Sequence, residues 1–130
     1  MKKLLLLSFL LYSFYNLFGQ DVLKYNAYSL VFFDMKTRKW ENKSEPVDIL
    51  ISVNFEDRKI KIYSKSTQIY DIIQTYDEER IEDGKKFRFY CEDRNGSNCY
   101  IDFVYYDDGT KQLYVRYSDI QYLYNIQFSQ

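Results

Sequence analysis

Residues 87–117 read FRFYCEDRNGSNCYIDFVYYDDGTKQLYVRY, and the spacing inside this stretch decides the fold. Two turn signals punctuate it. Asn95-Gly96 and Asp107-Asp108-Gly109 each place a glycine where a three-residue hairpin loop needs a left-handed residue. With both loops of that length, Phe87 lies opposite Phe103, Phe89 opposite Ile101 and Cys91 opposite Cys99. Across the second loop Phe103 faces Leu113, Ile101 faces Val115 and Cys99 faces Tyr117. These nine side chains share one face of a three-stranded antiparallel sheet, and a slip of one residue would scatter them. The other face then carries Arg88, Asp102 and Tyr114 in one cross-strand row and Tyr90, Tyr100 and Arg116 in the next. Opposite charges and aromatic pairs in such rows stabilise a sheet by about 0.2–1 kcal/mol each.

Outward from this core the same period continues. Val47, Ile49, Ile51, Val53 and Phe55 alternate strictly, Ile60 and Ile62 follow in step, and Tyr122, Tyr124, Ile126 and Phe128 extend the inner face at the end of the chain. Tyr25–Phe33 and Gln68–Tyr76 read as strands as well, the second without a clear inner face. The stretch from Asp77 to Gly84 reads as an acidic loop, with Glu78–Ile81 as one helical turn that nothing caps well. The count is eight strand-like runs with short connections. That predicts an all-β protein, an antiparallel meander of about eight strands closed into a small barrel; a two-layer β-sandwich is the alternative. Closure removes the exposed edges that an open sheet leaves to aggregate.

The N-terminal segment reads as a targeting signal. Lys2 and Lys3 precede an apolar run from Leu4 to Leu11 broken only by Ser8, and the chain turns small and polar at Gly19 and Gln20. The apolar run is shorter than the roughly 20 residues that span a bilayer. We therefore expect a signal peptide over 1–19, a single all-β domain over 20–130, and a periplasmic or extracellular protein with no membrane span after cleavage. Beyond the leader, 16 basic side chains face 19 acidic ones. The lysines are scattered singly, so nothing resembles the clustered basic footprint that nucleic acid requires.

Chemistry is constrained mainly by the lack of histidine, which removes serine and cysteine triads and the commonest transition-metal ligand. The acidic residues Asp77, Glu78, Glu79, Glu82, Asp83, Asp107 and Asp108 fall in turns, where Asp caps its own backbone. No catalytic residue, cofactor or metal site is expected, and the protein reads as a non-enzyme. The sequons at Asn42 and Asn95 carry no function in this reading. Cys91 and Cys99, opposed across an antiparallel pair, lie within the Cα separation a disulfide accepts, and an oxidising compartment favours the bond. Arg88, Tyr90, Tyr100, Asp102, Tyr114 and Arg116 form a candidate binding face, since tyrosine joins ring area to a polar tip; an ordinary solvent face is the competing reading. Trp40, in the connection after the first strand, is a candidate barrel-mouth residue.

The runs Ile60-Lys61-Ile62-Tyr63-Ser64 and Tyr70-Asp71-Ile72-Ile73, together with Cys91, Cys99, Leu113-Tyr114-Val115 and Tyr124-Asn125-Ile126, resemble a group of small exported bacterial proteins of unassigned activity. The resemblance implies export and a β-fold, and transfers no site residue. Two functions are compatible with these features. One is an exported binding protein, a barrel holding an apolar or amphipathic ligand or a sugar. The other is a structural or inhibitory accessory that docks on an exported protein through the Tyr/Arg face or an edge strand.

Overall fold

A computed structural model describes residues 22–129; the expected signal peptide over 1–19 lies outside the described residues. There the chain forms ten strands and no helix: β1 (Val22–Asp34), β2 (Lys39–Trp40), β3 (Glu45–Asn54), β4 (Lys59–Ile62), β5 (Gln68–Thr75), β6 (Glu79–Ile81), β7 (Gly84–Asp93), β8 (Asn98–Tyr106), β9 (Lys111–Arg116) and β10 (Gln121–Phe128). Strands β1, β3, β4, β5, β7, β8, β9 and β10 pair antiparallel in chain order. The last returns to the first, from Tyr25↔Phe128 to Phe32↔Tyr122. The result is a closed eight-stranded meander barrel rather than a sandwich.

The register derived from the two glycine turns is the register found. Phe87↔Phe103, Phe89↔Ile101, Cys91↔Cys99, Phe103↔Leu113 and Ile101↔Val115 are all partners. The turns have the geometry that fixes them. Gly96 (φ 82°) and Gly109 (φ 94°) are left-handed, and their N–H groups donate to the carbonyls of Asp93 and Tyr106. The Asp93 side chain accepts the N–H groups of Asn95 and Ser97, and Asp108 accepts that of Thr110, each at 2.9 Å. Inward residues from all eight barrel strands form one core, including Tyr25, Ile51, Ile60, Tyr70, Phe89, Ile101, Leu113 and Ile126.

Two bulges explain where strand faces were illegible. In β1 the register shifts between Ala27 and Ser29. Leu23, Tyr25 and Ala27 point inward before it, whereas Leu30 and Phe32 do so after it, and Val31 and Phe33 turn outward. In β5 a shift between Ile72 and Gln74 ends the inward run of Tyr70 and Ile72 and leaves Ile73 half exposed. A bulge inverts the alternation of everything beyond it.

The helical turn expected at Glu78–Ile81 is instead strand β6, laid along β7 through Glu79↔Lys86, Arg80↔Lys85 and Ile81↔Gly84. An uncapped turn of helix has little to hold it. The strand pairing sets Glu79 against Lys86 at 2.9 Å and brings Arg80 to Asp107 at 2.9 Å.

Candidate functional site

The outer wall of β7, β8 and β9 carries the six residues expected there, in the expected rows: Arg88↔Asp102↔Tyr114 and Tyr90↔Tyr100↔Arg116. The strands do the positioning, since alternate residues on adjacent strands must share a face. At the centre Asp102 is fully buried (0% exposed) although it points away from the barrel core. Arg88 donates to it in a fork, Nε to Oδ1 at 2.8 Å and Nη2 to Oδ2 at 2.9 Å, and Arg116 Nε donates to Oδ2 at 3.0 Å. The Asp102 carboxylate holds the Arg88 guanidinium above its ordinary pKa. Two cations around one anion leave a local excess of one positive charge.

The guanidiniums also lie on aromatic rings. Arg88 sits 4.5 Å from the centre of Tyr100, and Arg116 4.5 Å from that of Tyr114. Tyr100 in turn packs on Tyr90 and Tyr76. The wall continues toward β1 as a chain of hydrogen bonds. Tyr106 and Tyr114 both donate to Gln112 Oε1, Gln112 donates to Asn125, and Asn125 donates to Ser29. Each of these side chains thus has a hydrogen-bond, ion-pair or ring partner within the wall itself.

Trp40 belongs to this wall rather than to a barrel mouth. It is the direct partner of Phe33, and the bulge at Ala27/Ser29 has already turned Phe33 outward. The Trp40 ring meets Phe33 edge-on at 5.1 Å and Tyr114 edge-on at 5.6 Å. Sequence reading left Trp40 in the connection after the first strand; the structure folds that connection back as β2 against β1. The parity change that decides its face leaves no composition signal.

Cys91 and Cys99 face each other as register partners, 0% and 2% exposed, and both stand as free thiols. Burial pushes the Cys99 thiol up to about 11 and raises Cys91 further still. Burial in the folded barrel thus favours the protonated form of both thiols, so exchange with an oxidant is fastest before the pair is enclosed.

A cavity of about 10 Å³ lies among Leu23, Tyr25, Val53, Phe87, Phe89 and Phe103, room for one water and not for an organic ligand. The mouth at the other end, where β5 begins and β7 ends, differs. A depression of about 230 Å³ opens there, lined by Thr67, Gln68, Tyr70, Asp93, Tyr117 and Tyr122 among others. Gln68 Oε1 accepts hydrogen bonds from Tyr70 (2.6 Å) and Tyr122 (2.8 Å), while its Nε2 donates to Ser64 at 3.0 Å. Tyr117 donates to Asp93 Oδ2 at 2.7 Å, which, with the Asn95 and Ser97 N–H groups, holds the Asp93 carboxyl below its usual range. Burial raises the Tyr70, Tyr117 and Tyr122 phenols, so they stay protonated donors to these acceptors.

Sequence reading missed this mouth as a site. Its one available signal was the inward tyrosines Tyr117 and Tyr122, since a buried phenol needs a partner for its hydroxyl. Among the described residues the inner face of the barrel is apolar, and the outer face carries ion pairs such as Lys59–Asp71 and Arg88–Asp102. The chain matches no protein-family model, no curated protein and no solved structure.

Proposed function

We propose that this is an exported, non-catalytic binding protein that docks on another exported protein through its outer tyrosine–arginine wall. The observation that carries the reading is the fully buried Asp102, which holds two guanidiniums over tyrosine rings beside Trp40. Tryptophan, tyrosine and arginine are the residues that dominate protein–protein hot spots. Here they are fixed in advance, which lowers the entropy cost of ordering side chains on association. The reading does not call on a ligand inside the barrel, where the cavity among Leu23, Tyr25 and Phe103 holds about 10 Å³.

The test is recovery of partners from the host's own exported fraction with the mature protein as bait. Replacing Trp40 and Tyr100 together by serine, with the fold checked by circular dichroism, is expected to reduce partner recovery by about tenfold or more. Undiminished recovery would rule out the wall as the docking surface.

In the exported setting, the reading includes a Cys91–Cys99 bridge. Both thiols lose their protons and together two electrons to a disulfide oxidant of that compartment, and one S–S bond forms. The juxtaposed register supports it. Closing so short a loop stabilises by about 2.5 kcal/mol at most on the chain-entropy model. Protein from the native exported fraction, denatured without reductant, is expected to resist alkylation at both cysteines. Two alkylated thiols in the intact mass would rule the bridge out.

A further inference from the structure

The wall leaves the polar mouth unused, and the chemistry there points to a different kind of ligand. We propose that the depression between the β4–β5 connection, the β7–β8 turn and Tyr117 is a second binding site, one that takes a pyranose ring of a saccharide.

The hydrogen-bond inventory decides the ligand class. The phenol protons of Tyr70 and Tyr122 are committed to Gln68 Oε1, and that of Tyr117 to Asp93 Oδ2. Asp93 Oδ1 is taken by the N–H groups of Asn95 and Ser97. Tyr70 and Tyr122 also share a hydrogen bond at 3.2 Å, so the floor offers the remaining lone pairs of the phenolic oxygens and of Asp93 Oδ2, and the rim adds the Ser66 and Thr67 hydroxyls, the Asn95 amide and Arg94. A ligand whose groups both donate and accept, as hydroxyls do, satisfies floor and rim together. A carboxylate or phosphate leaves the floor's lone pairs unmatched and meets the Asp93 charge, with Arg94 the one cationic side chain among the described lining residues. A hydrocarbon tail strips water from the lone pairs that remain on the phenolic oxygens and on Asp93 Oδ2 and puts no donor in its place. A sugar supplies several hydroxyl donors and an apolar C–H face for the tyrosine rings.

Size and order agree with that choice. The volume of about 230 Å³ falls just under the range of pockets for drug-sized ligands, roughly 300–1,000 Å³, and suits a single ring of a longer saccharide that continues into solvent. The floor is fixed by side chains from three strands, Gln68 and Tyr70 on β5, Asp93 on β7 and Tyr122 on β10, so no loop closure is needed. The contrast with the opposite end is informative. There the Tyr25 and Tyr105 hydroxyls simply pair with each other over a packed apolar floor.

The experiment is a titration of the mature, isotope-labelled protein by amide-resolved NMR, with maltotriose, cellotriose and triacetylchitotriose as probes. At least one is expected to shift the amides of Thr67, Asn95 and Tyr117 with a Kd between about 0.1 and about 10 mM. Asp93→Asn with Tyr117→Phe is expected to weaken that binding by about tenfold, whereas Trp40→Ser with Tyr100→Ser leaves it unchanged. Should the mouth variant fail to fold, Thr67→Trp fills the depression from an exposed loop and abolishes binding instead. No saturable shift with any probe, or shifts that survive these substitutions, overturns the proposal. Neither outcome alters the docking result for the wall, so the two readings fail separately.

Discussion

Replacing Arg88 and Arg116 together by methionine will destabilise the protein by about 3–5 kcal/mol. The reason is the position of Asp102. Its carboxylate has no exposure, and both oxygens are spent on these two guanidiniums. The arginines are one-third exposed (32% each) and reach water easily when their partner is lost. Asp102 does not, so removing the cations leaves an uncompensated charge in a dry place, the costly half of the exchange.

The triple substitution Arg88→Met, Arg116→Met and Asp102→Leu separates attraction from desolvation. With no charge left to strand, it should recover to within about 1 kcal/mol of the wild type, because a well-packed apolar cluster commonly matches a buried ion triad. Urea unfolding of the three proteins gives both differences directly. A double variant that loses less than about 1 kcal/mol would mean that Asp102 is hydrated, and the account of the wall as a pre-ordered surface would fall. Given the expected result, a stable triple variant that no longer recovers the wall's partner would assign the triad to recognition rather than to folding.

The legible and illegible parts of this molecule divide along one physical line. Local turn chemistry fixed the β7–β8–β9 register: two left-handed glycines set two loop lengths, and parity did the rest. The same register assigned Arg88, Asp102 and Tyr114 to one row of the wall and paired Cys91 with Cys99. What could not be read depends on inversions of parity or on distant closure. No glycine marks the bulge at Ala27/Ser29, yet it sends Phe33 and Trp40 to the outside. The bulge at Ile72/Gln74 blurred the faces of β5, and with them the inward aim of Gln68 and Tyr70 that builds the mouth. Closure by β1 and β10 joins residues about a hundred positions apart, and only the disadvantage of open edges argued for it in advance.

Gly84 is the other residue whose role the sequence hid, and its replacement by alanine should cost about 3 kcal/mol. As a turn residue after an acidic stretch it looks interchangeable with any small polar side chain. In the structure it is buried at the start of β7, between the short strand β6 and the end of β8. A Cβ there would lie 2.2 Å from the Tyr105 carbonyl oxygen and 2.9 Å from the Tyr106 Cα, both backbone atoms. No rotamer change relieves a backbone contact, so one strand must move by about an ångström. β8 is held on both sides by full ladders with β7 and β9, whereas β6 has only three partner positions and exposed ion pairs of little worth. The β6–β7 turn will therefore give way, and with it the bond from the Asp107 N–H to the Asp83 carbonyl at 2.8 Å. Hydrogen exchange reads this directly: the Asp107 amide should lose its protection in Gly84→Ala, while Ile101 and Leu113 amides exchange only through the lowered global stability. Gly96 and Gly109 provide the contrast, because a Cβ at either meets nothing within 4 Å. Alanine there carries only the left-handed backbone penalty of about 1–2 kcal/mol. If Gly84→Ala proves no worse than alanine at those two turns, close backbone approach is not what reserves the position for glycine.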